Sequence, residues 1–184
     1  MAKHVCPVWI GYLLANPVRK LFQNPKKILG SYVSEGMKVL DIGCAMGFFS
    51  LPLAELVDPG GKVICVDVQE KMIASLEKRA RKAGLSDNIE VRICPPGSLG
   101  LKDLKEQIDF VAAIAVVHEV PDANEFFSEV YAAMKPDGKL LVVEPKGHVT
   151  RGDFEKTVSA AKQIGFTVNA PPRVRRSHAV LLGK

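Results

Sequence analysis

At 184 residues, with 47% hydrophobic and 24% charged residues, the chain has the composition of an ordinary globular protein sized for one core. Its four cysteines, Cys6, Cys44, Cys65 and Cys94, form no C-x-x-C pair; this argues against a zinc ribbon or a disulfide framework and fits a reducing compartment. A formal net charge of +5 permits an anionic partner without requiring one.

Residues 1–35 come first and have no strand rhythm. Pro7, Pro17 and Pro25 break them into short helices. The apolar run at 8–15 lacks a basic n-region and a small-residue cleavage site and is too short to span a bilayer, so no transmembrane segment and a cytoplasmic location are expected. Trp9, Tyr12, Leu13 and Phe22 suit a lid over a small-molecule site and equally a plain layer on the core. The segment is read as a helical cap, 1–35, before a core of residues 36–184. From Lys38 onward strands and helices alternate. Strands are expected at 38–43, 62–67, 89–94, 109–116 and 139–144, as unbroken apolar runs whose two faces are both covered. Helices are expected at 69–83, closed by Gly84, and at 123–135, ended by Pro136-Asp137-Gly138. A further helix carries Phe154, Val158, Ala161 and Ile164 and closes at Gly165. This is an α/β pattern, a three-layer doubly wound Rossmann-like sheet, mostly parallel. The basic runs 78–82 and 173–176 read as solvated surface rather than a nucleic-acid patch.

The chemistry concentrates where strands end. The first strand leads through Asp41 into a turn with Gly43 and Gly47, and the second ends in Asp67. Ligands of such sheets lie at the carboxyl ends of strands. A pyrophosphate fingerprint needs glycines at 43, 45 and 48, but the chain has Gly43, Ala45 and Phe48. Asp41 also adds negative charge where phosphates would lie. A cofactor with a ribose and a positive centre but no phosphate fits better, and S-adenosylmethionine has those properties. Asp67 is then the ribose-binding carboxylate, with capping of the next helix as its alternative role. Val68 and Met72 can offer adenine an apolar face, although Met72 suits the core as well.

The same residues carry a family resemblance. Residues 39–47, Val-Leu-Asp-Ile-Gly-Cys-Ala-Met-Gly, resemble motif I of the class I S-adenosylmethionine-dependent methyltransferases, (D/E)-x-G-x-G-x-G. Residues 63–67 resemble motif II, and residues 134–144 resemble the approach to and course of the fifth strand. The similarity is to the small-molecule methyltransferases of the ubiquinone/menaquinone-biosynthesis type and covers roughly residues 36–184. It implies seven strands with a final antiparallel pair, and a cofactor held by Asp41, Gly43, Cys44, Ala45, Gly47, Asp67, Val68, Met72, Ser98 and Ala115. Two positions depart from the pattern. Ala45 replaces the middle glycine, and Pro95 stands where the family usually carries an acid for the adenine amino group, leaving Ser98, main-chain atoms or water for that task.

Methyl transfer needs alignment and exclusion of water, and a base only where the acceptor is protonated. His118 and Glu119, after the fourth strand, are the catalytic candidates; His118 either takes a proton or shapes the pocket. Trp9, Tyr12, His118, Glu144 and His148 are candidate acceptor contacts, with Glu144 and His148 alternatively solvated loop residues. No ligand set has metal-site spacing, so no metal is expected, and a metalloid site joining Cys6 to Cys44 and Cys94 is the minor alternative. The leading expectation is methylation of a small, apolar or aromatic acceptor. RNA methylation and non-catalytic cofactor binding are the competing readings. Nucleic acid is disfavoured as a partner, and the sequence leaves the oligomeric state open.

Overall fold

The computed structural model describes residues 23–95, 97–170 and 172–184. Helix α1 (Pro25–Leu29) begins at Asn24, whose side chain accepts the Lys27 amide at 3.3 Å, with Pro25 in the first turn. It packs beside α2 (Ser50–Val57), and Lys26 pairs with Glu55 at 2.7 Å. Leu29 and Val33 are buried, so this stretch of the 1–35 segment is a core layer. Trp9, Tyr12, Leu13 and Phe22 lie outside the described residues.

Contacts divide the chain into two compact units that meet in sequence at Cys94 and Pro95. The first holds β1 (Lys38–Ile42), α2, β2 (Lys62–Asp67), α3 (Glu70–Ala83) and β3 (Ile89–Ile93). β1 and β3 both run parallel to β2, with Asp41 opposite Cys65 and Asp67 opposite Ile93. Helix α3 forms where the 3.6-residue spacing of Met72, Ile73, Leu76 and Ala80 gives one buried face. Gly84, at φ 71°, closes it by donating to the carbonyls of Ala80 and Arg81. β3 departs from the expectation of two covered faces. Among the described residues it has β2 as its only neighbour in the sheet, its residues are half-buried, and Ile93 is exposed.

The second unit holds β4 (Ile108–Ile114), α4 (Ala123–Ala133), β5 (Met134–Pro145), α5 (Arg151–Ile164), β6 (Thr167–Asn169) and β7 (Ser177–Gly183). β4 and β5 are parallel, and β7 is antiparallel to both β5 and β6. Asp122 caps α4 by accepting the amides of Asn124 and Glu125. That helix ends two residues before the expected 135, because Met134 already has extended geometry and opens β5. The β4–β5 register shifts between Ile108 and Phe110, which accommodates Pro136-Asp137-Gly138 in the strand. Among the described residues the strands of the first unit follow the order β3-β2-β1 and those of the second the order β4-β5-β7-β6, mostly parallel with the closing antiparallel pair that the resemblance implies.

Candidate active site

Within the first unit the turn after β1 is tied to β2 from both sides. The amides of Gly43 and Cys44 donate to the Val66 carbonyl at 2.9 and 3.2 Å. Asp67 then joins two turns: Oδ2 accepts the Ala45 amide and Oδ1 accepts the Gln69 amide, each at 2.9 Å. Ala45 is left-handed at φ 46°, and Gly47 follows at φ 83°. A Cβ on Gly47 would stand 2.3 Å from Cδ1 of buried Leu76, so α3 closes directly over the turn.

The two carboxyls differ in setting. Asp41 is 3% exposed and accepts a 2.6 Å hydrogen bond from the Ser50 hydroxyl. Burial raises its pKa to about 7, opposed by Ser50 and reinforced by the charge of Asp67. Burial also raises Asp67, against the amides of Gln69 and Ala45, which favour its charged form. Cys44 is raised well above the usual thiol value, first by its hydrogen bond with Cys65 and then by burial. Cys44, Cys65 and Cys94 are buried free thiols.

These residues fit a nucleoside. The Asp67 carboxylate accepts the Ala45 and Gln69 amides, with the Val68 amide also favouring its charged form, and an ionised carboxylate at a strand end is the acceptor a ribose hydroxyl requires. Val68, next in the chain, and Ile93, opposite Asp67 in the sheet, are two of the three large exposed hydrophobic residues among those described. They offer apolar surface for a flat ring. Ile93 was not among the sequence candidates; its signal is the register that sets it across from the acid. Met72 is buried on α3 and belongs to the core. The basic run 78–82 is not wholly solvated: Arg79 is partly buried and its Nη1 donates to the Met46 carbonyl in the motif I turn. Burial lowers the Arg79 pKa. A polar cavity of about 490 Å³ at the start of β2 is lined by Asp58, Lys62, Asp87 and Asn88, among others. Lys62 donates to the Asp87 carbonyl and Asn88 to the Asp58 carboxylate, which leaves it a poor binding site.

Within the second unit the chain leaves β4 through Ala115, left-handed at φ 59°, whose amide donates to Val143 at 2.7 Å. A 3-10 turn, Val117–Glu119, then presents His118. Glu144, near the end of β5, is 1% exposed. It is no solvated loop residue. Its Oε1 accepts the His118 backbone amide at 3.2 Å, and Oε2 faces Nδ1 at 2.6 Å. An ionised Glu144 fixes the proton of neutral His118 on Nδ1 and leaves Nε2 as an acceptor. Nε2 lies 3.9 Å from Glu119 Oε1, and the His148 ring centroid is 5.8 Å from that of His118. The hydrogen bond with Glu144 raises the His118 pKa; burial opposes it, and the charges of Glu144 and Glu119 add to it. Ser98 is committed elsewhere, donating to Glu129 Oε2 at 3.2 Å and accepting the Gly100 amide at 3.2 Å. The amides of Leu99 and Gly100 bind the same glutamate, so this loop is anchored to α4.

Two clusters thus take shape. Asp41, Gly43, Cys44, Ala45, Gly47, Asp67 and Val68 form one, and His118, Glu119, Glu144 and His148 form the other. Among known proteins, residues 33–170 match the family model described as a methyltransferase domain. A ubiquinone biosynthesis O-methyltransferase of Bradyrhizobium diazoefficiens is 33% identical over 74% of this chain and 49% of its own length. A demethylmenaquinone methyltransferase of Lactobacillus johnsonii is 31% identical over 61% of this chain and 45% of its own length. The chain therefore spans about half the length of these curated relatives. Its fold is similar to that of a SAM-dependent methyltransferase from Aquifex aeolicus, with a TM-score of 0.85, 24% identity, and coverage of 97% of this chain and 98% of that one. The chain belongs to the methyltransferase-domain family, with S-adenosylmethionine as its cofactor.

Proposed function

We propose that the protein methylates a small aromatic or quinone-like acceptor on an atom that carries a proton, a hydroxyl oxygen above all. The observation behind this reading is the His118–Glu144 pair, a buried carboxylate that holds Nδ1 and leaves Nε2 able to accept a proton. S-adenosylmethionine supplies a methyl group already activated on a sulfonium sulfur. Asp67 holds the ribose, Val68 and Ile93 cover the purine, and the 43–47 turn carries the amino-acid end. His118 receives the acceptor's proton at Nε2, while Glu144 orients the ring and stabilises its charged form. The relative named for O-methylation in ubiquinone biosynthesis supports a hydroxyl acceptor. The buried free thiols support a cytoplasmic setting, and no described helix is long and apolar enough to cross a membrane.

The test is the pH profile of methyl transfer to catechol-type and hydroquinone acceptors. Because the pKa of His118 is raised, its basic form, and with it the rate, should grow with pH through a midpoint above the ordinary 6.5. Glu144→Gln removes the cause of that shift, so the midpoint should fall while the rate drops. His118→Asn should cost about 100-fold. An undiminished rate in His118→Asn refutes the base assignment.

A further inference from the structure

Helix α3 reaches the motif I turn at two points. Leu76 fills the space in front of Gly47, and three residues later Arg79 donates to the Met46 carbonyl. Three-residue spacing places both side chains on one helix face. Arg79 stands out within the 78–82 run because it is partly buried, where Lys78, Arg81 and Lys82 are exposed, and because it donates to a backbone carbonyl. A guanidinium withdrawn from water needs a compensating partner, and here that partner is a turn carbonyl 33 residues away in sequence.

The turn it reaches is strained. Ala45 has φ 46°, a conformation that costs a residue with a Cβ, and the motif that this turn resembles carries glycine there. The Ala45 amide must still point at Asp67, because that bond holds the ribose-binding carboxylate in place. The Val66 carbonyl, Asp67 and the Gly47-to-Cys44 hydrogen bond hold the turn on either side, and Arg79 is the side chain that reaches the carbonyl between Ala45 and Gly47.

We infer that Arg79 is a positioning residue for the cofactor turn, holding the Met46 carbonyl so that Ala45 stays left-handed and its amide stays on Asp67. Without Arg79 the turn is free to relax toward negative φ at Ala45, which withdraws the amide and lets Asp67 turn away. A glycine at 45 has no such strain to relax, so the need for Arg79 is specific to alanine at that position. The inference rests on the reading of this turn as the cofactor's holder.

The experiment is a double-mutant cycle of Arg79→Met and Ala45→Gly, read by calorimetric binding of S-adenosylmethionine and by amide hydrogen exchange in the free protein. Arg79→Met should weaken binding about tenfold, the loss expected for one charge-assisted hydrogen bond, while the urea midpoint changes little. Exchange at the amides of Ala45 and Gly47, bonded to Asp67 and to the Cys44 carbonyl, should speed up about tenfold in the same variant. In the Ala45→Gly background both effects of Arg79→Met should shrink to about twofold or less. Equal losses in both backgrounds overturn the inference, as does an Arg79→Met protein that binds and exchanges like the wild type. A wild-type protein that fails to bind S-adenosylmethionine overturns the cofactor reading instead, and the exchange data then decide the role of Arg79 alone.

Discussion

A carboxyl 3% exposed, with one hydroxyl as its hydrogen-bond donor and a second carboxylate nearby, gives Asp41 a measurable effect on stability. In the folded chain it keeps its proton up to about pH 7, whereas unfolded it releases that proton near 3.8. Between those values the folded state binds more protons, so stability is fully present below pH 3.8 and declines as pH rises toward 7. Each unit of pKa difference is worth about 1.4 kcal/mol. Asp41→Asn should flatten this dependence and leave the variant more stable than the wild type at pH 8, as urea unfolding at pH 5 and pH 8 will show. A variant with an unchanged slope would mean that Asp41 is ionised in the fold throughout. The sequence marked Asp41 and Asp67 as strand-end acids, but it could not separate their settings. Ser50, nine residues along, and the Ala45 amide, 22 residues back, create the difference, and neither spacing is a motif. Glu144 shows the same limit, since its union with His118 spans 26 residues.

Element by element, local periodicity carries most of the information. Helices α3 and α5 end at Gly84 and Gly165 as their spacing requires, both glycines lying in the left-handed region. The junction of α4 and β5 was less legible, because Pro136-Asp137-Gly138 reads as a turn in isolation and only the pairing with β4 draws it into a strand. The close packing of α3 on the motif I turn was hidden as well, although Gly47 itself was visible. Its φ of 83° and the missing space in front of Leu76 act together. Gly47→Ala should therefore destabilise the protein by about 1–3 kcal/mol through the backbone strain and the displaced leucine. Chemical denaturation checks the figure, and a change within measurement error would show that Leu76 yields freely.

For the molecule as a whole, the alternation of strand and helix made the sheet's class legible, and the family resemblance supplied its closing antiparallel pair. The half-exposed β3 was not, since an edge strand and a central one carry the same apolar letters. β7 occupies the most consequential place. It lies between β5 and β6, pairs with β5 from Lys139↔Gly183 to Pro145↔Ser177, and buries Val180, Leu181 and Leu182. Deleting residues 177–184 should leave the second unit unable to fold, visible as loss of β-sheet circular dichroism and of a cooperative melting transition. A deletion protein that still melts cooperatively would show that β5 is stable without this neighbour. The same arrangement bears on how the protein is made. Leu140, Leu141, Val142 and Val143 leave the ribosome about 40 residues ahead of the strand that covers their edge, a delay of roughly two to eight seconds at ordinary rates of synthesis. Throughout that interval the nascent chain offers an open apolar strand to its neighbours on the polysome, so its yield in cells should depend on chaperone supply more than its final stability suggests.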